Sequence, residues 1–410
     1  MARHILVISQ YFYPEEFRIN DICKEWVKRG HKVTVVTGIP NYPQGRFYKG
    51  YSWCKRRKEN YEGIHIIRLP LIPRGHNSLM LAFNYVSFVV SGFFWNLFTR
   101  IRADRVFIFE VSPMTQALVG VWYAKRRKIP CYIYVQDLWP ENVEIVTGIH
   151  NKYLIGAIAK MVDYIYSACQ GIFATSPSFQ RLIEKRCRDA GKVFYLPQYA
   201  ESFYRPMERE EIDCSDETIS KILTDNRRKI IFTGNIGQAQ GLEILPKTAR
   251  RLKKSQDSHV LFVIVGDGRN KESFKAQIHK LGVEDMFLLI ERQPPEKIPR
   301  LLSCCDAAFL SFMNNPLFSM TIPAKLQSYM ACGMPVLAAA EGETKRIVEE
   351  ADCGICVPIG DEKALGEAIG EMEKMDISVL KKMGRKGRKY YEERFGKEMQ
   401  MEKLDEIFVY

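Results

Sequence analysis

The chain has 410 residues, of which 46% are hydrophobic and 26% charged, and it carries a net charge of +12. That length and balance exclude the compositions of disordered and fibrous chains and predict two or three soluble globular domains with sizeable cores. Residues 1–200 hold 28 Lys+Arg against 14 Asp+Glu, whereas residues 201–410 hold 32 against 34. The surplus therefore sits in the first half and points to an anionic partner there.

The opening "MARHILVISQYFYPEE" has a short apolar run that passes straight into polar sequence, as a buried strand does and a signal peptide does not. "HILVIS", "DICKEWVKRG" and "KVTVVTG" then read as strand, helix and strand, with Gly30 ending the helix at the C′ position. Strand-like runs follow at "GIHIIRLP", "ADRVFIFE", "PCYIYVQD", "GIFATS" and "KVFYLPQ", and helical stretches separate several of them. Short, continuously apolar strands between helices predict a parallel sheet covered on both faces. The segment Ser78–Phe98 is long enough to span a bilayer, but Asn84, Ser87, Ser91, Gly92 and Asn96 interrupt it. It is expected to be a long helix packed on the domain and touching lipid along one side.

From Glu201 to Arg228 the sequence turns polar and acidic, as an interdomain connection would. "KIIFTGNIGQAQGLEIL", "HVLFVIVGDG", "MFLLIERQ", "AAFLSF" and "PVLAAA" restart the alternation. The expected architecture is α/β: a doubly wound, Rossmann-like domain at 1–200, a linker at 201–228, a second such domain at 229–390, and a helix at 391–410 returning to the first. Ligands of such sheets bind at the carboxyl ends of the strands, with the cleft between domains the natural place. The eleven cysteines form no framework and fit a reducing cytosol. Cys353 and Cys356 lack a second pair at zinc spacing and read as a turn between strands, so no metal is expected.

Three strand-end features of the second domain converge on phosphate chemistry. Gly234 and Gly237 in "FTGNIGQAQG", and Gly266 and Gly268 in "VGDG", allow backbone amides to approach a phosphate. In "NPLFSMTIPAKLQSYMACGMPVLAAA" a helix is expected to start at Ile322–Pro323, capped by Thr321 or Ser319, with Lys325 in its first turn. A cation there is unfavourable by roughly 0.3–1 kcal/mol unless an anion docks at the helix end. The first domain offers Arg18 after its first strand, then Arg68, Arg74 and His76 just ahead of the apolar Ser78–Phe98 segment. Basic residues beside an apolar helix suit a lipid with a phosphate headgroup. Asp137, directly after a buried strand, is a candidate for orienting a sugar hydroxyl, and Glu110 sits in an equivalent place.

"GIPNYPQGRFYKGY", "VQDLWPENVEIVTG", "FTGNIGQAQGLEIL" and "IPAKLQSYMACGMPVLAA" together resemble family 4 glycosyltransferases, notably the bacterial O-antigen and colanic-acid enzymes of the WbuB and WcaI type. The resemblance implies the two-domain GT-B fold, with a nucleotide-sugar bound by the second domain and the acceptor by the first. It also implies retention of anomeric configuration, no metal or other cofactor, and an acceptor sugar on a polyprenyl diphosphate at the cytoplasmic face of the membrane. A uridine nucleotide carrying an N-acetylated sugar is the implied donor. Many members carry two glutamates around the donor helix, where this chain has Met320 and Ser328, so Gln327 or Glu343 is expected to assist at the ribose. Where many members place an arginine and a lysine on the Gly-rich loop, this chain has Asn235 and Gln240. Lys325 is then left as the main cation for the diphosphate, with Asp137 as the second catalytic candidate. An epimerase of the same architecture and an inactive membrane-associated scaffold are the competing readings. Nucleic-acid binding is discounted for want of a recognition module.

Overall fold

A computed structural model of the chain describes residues 2–75, 77–143, 151–207, 211–212, 215–255 and 259–409. The chain divides into two units, Met1–Leu196 with Met401–Tyr410, and Pro197–Gln400.

The first unit runs β1 (His4–Ile8), α1 (Arg18–Lys28), β2 (Lys32–Gly38), β3 (Lys58–Tyr61), β4 (Ile64–Leu69), α2 (Ser78–Phe98), β5 (Arg105–Glu110), α3 (Ala117–Arg127), β6 (Cys131–Val135), α4 (Lys152–Ala168), β7 (Gly171–Ala174), α5 (Pro177–Arg186) and β8 (Val193–Tyr195). Its sheet has the order β3-β4-β2-β1-β5-β6-β7-β8. All neighbours are parallel except β3, which pairs antiparallel with β4. "HILVI" and "RVFIFE" are almost wholly buried because helices cover both faces of the central strands. No apolar pattern marks β3, "KENY", which is charged and half-exposed. Charge on an edge strand discourages pairing with other chains. The first helix begins at Arg18, three residues earlier than its periodicity suggests, with Phe17 as an extended N-cap that makes no side-chain capping bond.

α2 keeps the expected limits. Leu81, Asn84, Tyr85, Phe88, Gly92 and Asn96 face inward, and Gly92 leaves room for Val119 of α3 to press against the backbone. The polar residues that interrupt its sequence serve packing. Asn84 donates to the Ile72 carbonyl at 2.6 Å, and the Ser87 hydroxyl accepts the Ile72 amide at 2.9 Å. Asn77 caps the start, and Arg126 and Arg127 donate to the carbonyls of Leu97 and Thr99 at the other end. The opposite face, with Leu79, Phe83, Val86, Val90, Phe94 and Phe98, is exposed.

The second unit runs α6 (Glu217–Leu223), β9 (Arg228–Asn235), α7 (Ile244–Ser255), β10 (Val260–Asp267), α8 (Lys271–Leu281), β11 (Phe287–Ile290), α9 (Ile298–Ser303), β12 (Ala307–Ser311), α10 (Pro316–Ser319), α11 (Ala324–Ala331), β13 (Val336–Ala339), α12 (Gly342–Glu350), β14 (Gly354–Val357), α13 (Glu362–Lys374) and α14 (Ile377–Arg394), and α15 (Lys397–Phe408) leads out of it. Its parallel sheet has the order β11-β10-β9-β12-β13-β14, which counted within the unit is the 3-2-1-4-5-6 order of a dinucleotide-binding fold. Strand order reverses between β9 and β12, so the crevice for a ligand opens at their carboxyl ends.

Three expectations are corrected. The 201–228 segment is more than a connection, because Ile219 and Ile222 of α6 are buried in the second unit's core. The return to the first unit falls at Met401, inside α15, and not at residue 391, since α14 stays with the second unit. There Tyr391 donates its hydroxyl to the Ala200 carbonyl at 3.2 Å. Cys356 lies within β14 rather than in a turn.

The final residues complete the core of the first unit. Phe408 packs with ring centroids 5.2 Å from Trp26, 5.1 Å from Phe107 and 5.2 Å from Tyr132. Buried Asp405 accepts hydrogen bonds from Trp26 Nε1 and Arg29 Nη1, both at 2.9 Å. We expect Phe408→Ala to destabilise the first unit by about 3–5 kcal/mol in urea unfolding; a loss near zero would show that the tail is dispensable.

Candidate functional site

The crevice at β9 and β12 is lined from both sides. β9 ends in Thr233, Gly234 and Asn235, and the chain then turns through Gly237 and Gln240 before α7. Gly234 has φ +133°, which a side chain rarely adopts, and a Cβ there would lie 3.6 Å from the Lys325 ammonium. Lys325 is thus folded back over the end of β9. Its Nζ hydrogen-bonds Gln240 Oε1 and stands 4.5 Å from the centroid of the Phe232 ring.

No carboxylate pairs with Lys325 among the described residues, and burial alone lowers its pKa from 10.5 to about 7. The helix start beside it also lacks a side-chain cap among the described residues. α11 begins at Ala324, with Pro323 as N-cap and no side-chain capping bond. The two expected caps are occupied elsewhere. Thr321 donates its hydroxyl to the Leu317 carbonyl at 3.1 Å, and Ser319 donates to the Pro316 carbonyl at 2.7 Å. An ammonium with no carboxylate beside it among the described residues, next to an uncapped helix start, is an arrangement suited to an anion.

The other expected donor residues divide. Asn235 is exposed at the rim. Gly266 and Gly268 act through close packing, since a Cβ at Gly266 would strike the Gly234 carbonyl and one at Gly268 the Ile236 carbonyl. Ser328, one turn beyond Lys325, is 9% exposed, and Gln327 is fully buried. Glu343 is engaged by Arg346, whose Nη2 donates to it at 2.8 Å. Its helix, α12, is tied to the segment ahead of α11: Thr344 donates to the Thr321 carbonyl at 3.0 Å.

In the first unit the expected phosphate ligands also separate. Arg68 is fully buried, donates to Glu59 Oε2 at 2.7 Å and to the Tyr13 carbonyl at 2.8 Å, and lies over the Tyr51 ring. It holds strands and loops together and is not a surface anchor. Arg74 remains partly open. It donates to the Tyr11 hydroxyl at 2.9 Å and lies over the rings of Tyr11 and Tyr42. Arg18 is the first residue of α1 at the end of the β1 loop, and His76 lies outside the described residues. Asp137 is half-buried and accepts the Ser112 amide at 2.7 Å.

Sequence reading missed the polar net beneath Arg74. Gln10 donates to Asn84, Gln116 accepts the Gln10 amide at 2.6 Å, and Asn41 accepts the Arg74 amide at 2.9 Å. Buried Glu15 accepts the amides of Asn41 and Tyr42 at 2.8 and 2.7 Å, yet burial still pushes its pKa up to about 7. The available signal was Asn84, a lone amide within an apolar helix.

Residues 16–198 match the glycosyl transferase 4-like domain, and residues 215–390 match the glycosyl transferases group 1. The chain belongs to the GT-B glycosyltransferases. It is 27% identical over 354 residues to the putative colanic acid biosynthesis glycosyl transferase WcaI of Escherichia coli K12, covering 83% of this chain and 84% of that one. The fold is shared with sucrose-phosphate synthase of Thermosynechococcus elongatus (TM-score 0.76, 14% identity, 99% and 98% of the two chains). It is also shared with HepE of Anabaena, solved with UDP and glucose (TM-score 0.71, 16% identity, 98% of each chain).

In this glycosyltransferase the sign of the Lys325 effect is fixed by linkage. Between about pH 7 and 10.5 the unfolded chain holds a proton on Lys325 that the folded chain does not, so stability contributed by this group rises with pH. Below about pH 7 the folded protein carries Lys325 as a half-buried cation with no carboxylate beside it among the described residues. A diphosphate bound at Lys325 would reverse this by favouring the protonated form. UDP affinity is therefore expected to fall as pH rises above about 7, by up to about tenfold per unit, and the slope should vanish in Lys325→Met. Calorimetric titration across that range is the check; a flat wild-type profile would contradict the assignment.

Proposed function

We propose that this glycosyltransferase moves a sugar, of the N-acetylated class by resemblance, from a uridine diphosphate donor to a polyprenyl-diphosphate-linked glycan during assembly of a surface polysaccharide. Transfer retains anomeric configuration and requires no metal. The observation that carries the reading is Lys325, an ammonium without a counter-ion beside uncapped helix amides and a glycine-bearing strand end.

In the mechanism, the bond from the anomeric carbon to the β-phosphate lengthens and negative charge grows on the departing oxygen. Lys325 and the amides at the start of α11 meet that charge, with donors fixed before the reaction begins. The departing phosphate oxygen takes the acceptor hydroxyl's proton, so no separate strong base is needed. Asp137 orients the acceptor hydroxyl, and Arg74, fixed by Tyr11 and Tyr42, meets the acceptor phosphate.

The exposed apolar face of α2 supports a peripheral place on the cytoplasmic face of the membrane. Lys125, Arg126 and Lys128 stand exposed at the end of α3, by the C-terminus of α2, and add attraction to anionic headgroups.

Lys325→Ala is expected to lower turnover about 100–1000-fold in a chain that still folds; near-normal turnover refutes the reading. Replacing Phe83, Val86, Val90 and Phe94 together with serine should release the protein from phosphatidylglycerol vesicles in a flotation assay and leave UDP binding intact. Unchanged flotation would remove the membrane from this account.

A further inference from the structure

Glu110 is a carboxyl that the fold does not need. It ends β5, is wholly buried, and accepts the Asp137 amide on Oε2 at a long 3.5 Å. Oε1 is buried without a partner among the described residues, and so is the hydroxyl of Tyr166, a residue close enough for the Glu110 charge to act on it. Burial and then the charge of Asp137 push the Glu110 pKa well up. A buried carboxyl with an unused oxygen weakens a fold, and one at the carboxyl end of a central strand stands where doubly wound sheets place ligands.

Its surroundings show what it supports. The loops after β5 and β6 are cross-tied. Ser112 donates its amide to Asp137 Oδ2, and the Ser112 hydroxyl accepts from Trp139 Nε1 at 3.0 Å and Asn142 Nδ2 at 3.1 Å. The second carboxylate oxygen of Asp137 has no partner among the described residues. One oxygen is thus tethered and the other left for a ligand.

We infer that Glu110 is a positioning residue, holding the Asp137 backbone from beneath so that the free carboxylate oxygen meets the acceptor hydroxyl. This rests on the reading in which Asp137 faces the acceptor. The net beneath Arg74 fixes a phosphate anchor, whereas Glu110 fixes the hydroxyl to be glycosylated, so its loss should appear in turnover more than in donor binding.

The test compares Glu110→Met, Glu110→Gln and Asp137→Asn by thermal melting and steady-state kinetics. Glu110→Met is expected to melt at or above the wild-type temperature, with kcat lowered roughly tenfold or more and donor KM unchanged. Glu110→Gln keeps an oxygen to accept the Asp137 amide and should recover to within about threefold of wild type. A Glu110→Met chain that fails to fold, or one with wild-type turnover beside a slow Asp137→Asn, overturns the positioning role alone. A Glu110→Gln enzyme as slow as Glu110→Met does so too, since it would demand an ionisable proton. Normal turnover in both Glu110→Met and Asp137→Asn overturns the acceptor reading as well.

Discussion

The chemistry proposed for the second unit depends on one constraint, an ammonium held without a carboxylate partner, among the described residues, beside an uncapped helix start. Burial disfavours the charged form of Lys325, a cost that the Phe232 ring face and the Gln240 oxygen offset in part, and the positive end of α11 adds to the penalty. Neither effect helps the empty protein. In the proposed reading both become favourable when a diphosphate binds, because the anion would compensate the ammonium and meet the amides of Ala324 and Lys325. In the proposed mechanism the same donors would be worth more as charge builds on the leaving phosphate than in the ground state, which is the condition for lowering a barrier and not merely for binding.

The rest of the second unit serves that arrangement. The strand order places β9 beside β12, so the loops after both meet at one crevice. Gly266 lets β10 press on the Gly234 carbonyl, and Thr344 ties α12 to Thr321. Rigid packing of this kind keeps the anion donors in place. The first unit is built differently. Its strand ends carry rings and amides that hold one arginine, Arg74, and its long helix turns an apolar face outward.

Much of this was legible in the sequence for identifiable reasons. Buried parallel strands read as continuous apolar runs, so "HILVI", "VFIF" and "VLFVIV" announced both sheets. Lys325 stood out because a cation in a first helical turn needs an explanation. What failed depended on contacts between distant residues. Arg68 looked like a surface anchor because its partner Glu59 comes from β3, a charged edge strand with no apolar pattern. Thr321 and Ser319 looked like caps because their types suit that role, but Ser319 ends α10 and both hydroxyls donate back to carbonyls of that helix. Glu343 seemed free for the ribose until Arg346, one helical turn on, was seen to hold it. Glu110 could be noticed from its place at a strand end, but not its burial.

Where the phosphates of the donor lie decides the central claim, and a crystal structure of the UDP complex measures that directly. The predicted result is a β-phosphate oxygen about 3 Å from Lys325 Nζ, with the Ala324 and Lys325 amides directed at the same group and Gln240 displaced or shared. Phosphates bound elsewhere, with Lys325 still turned onto Gln240, would contradict it.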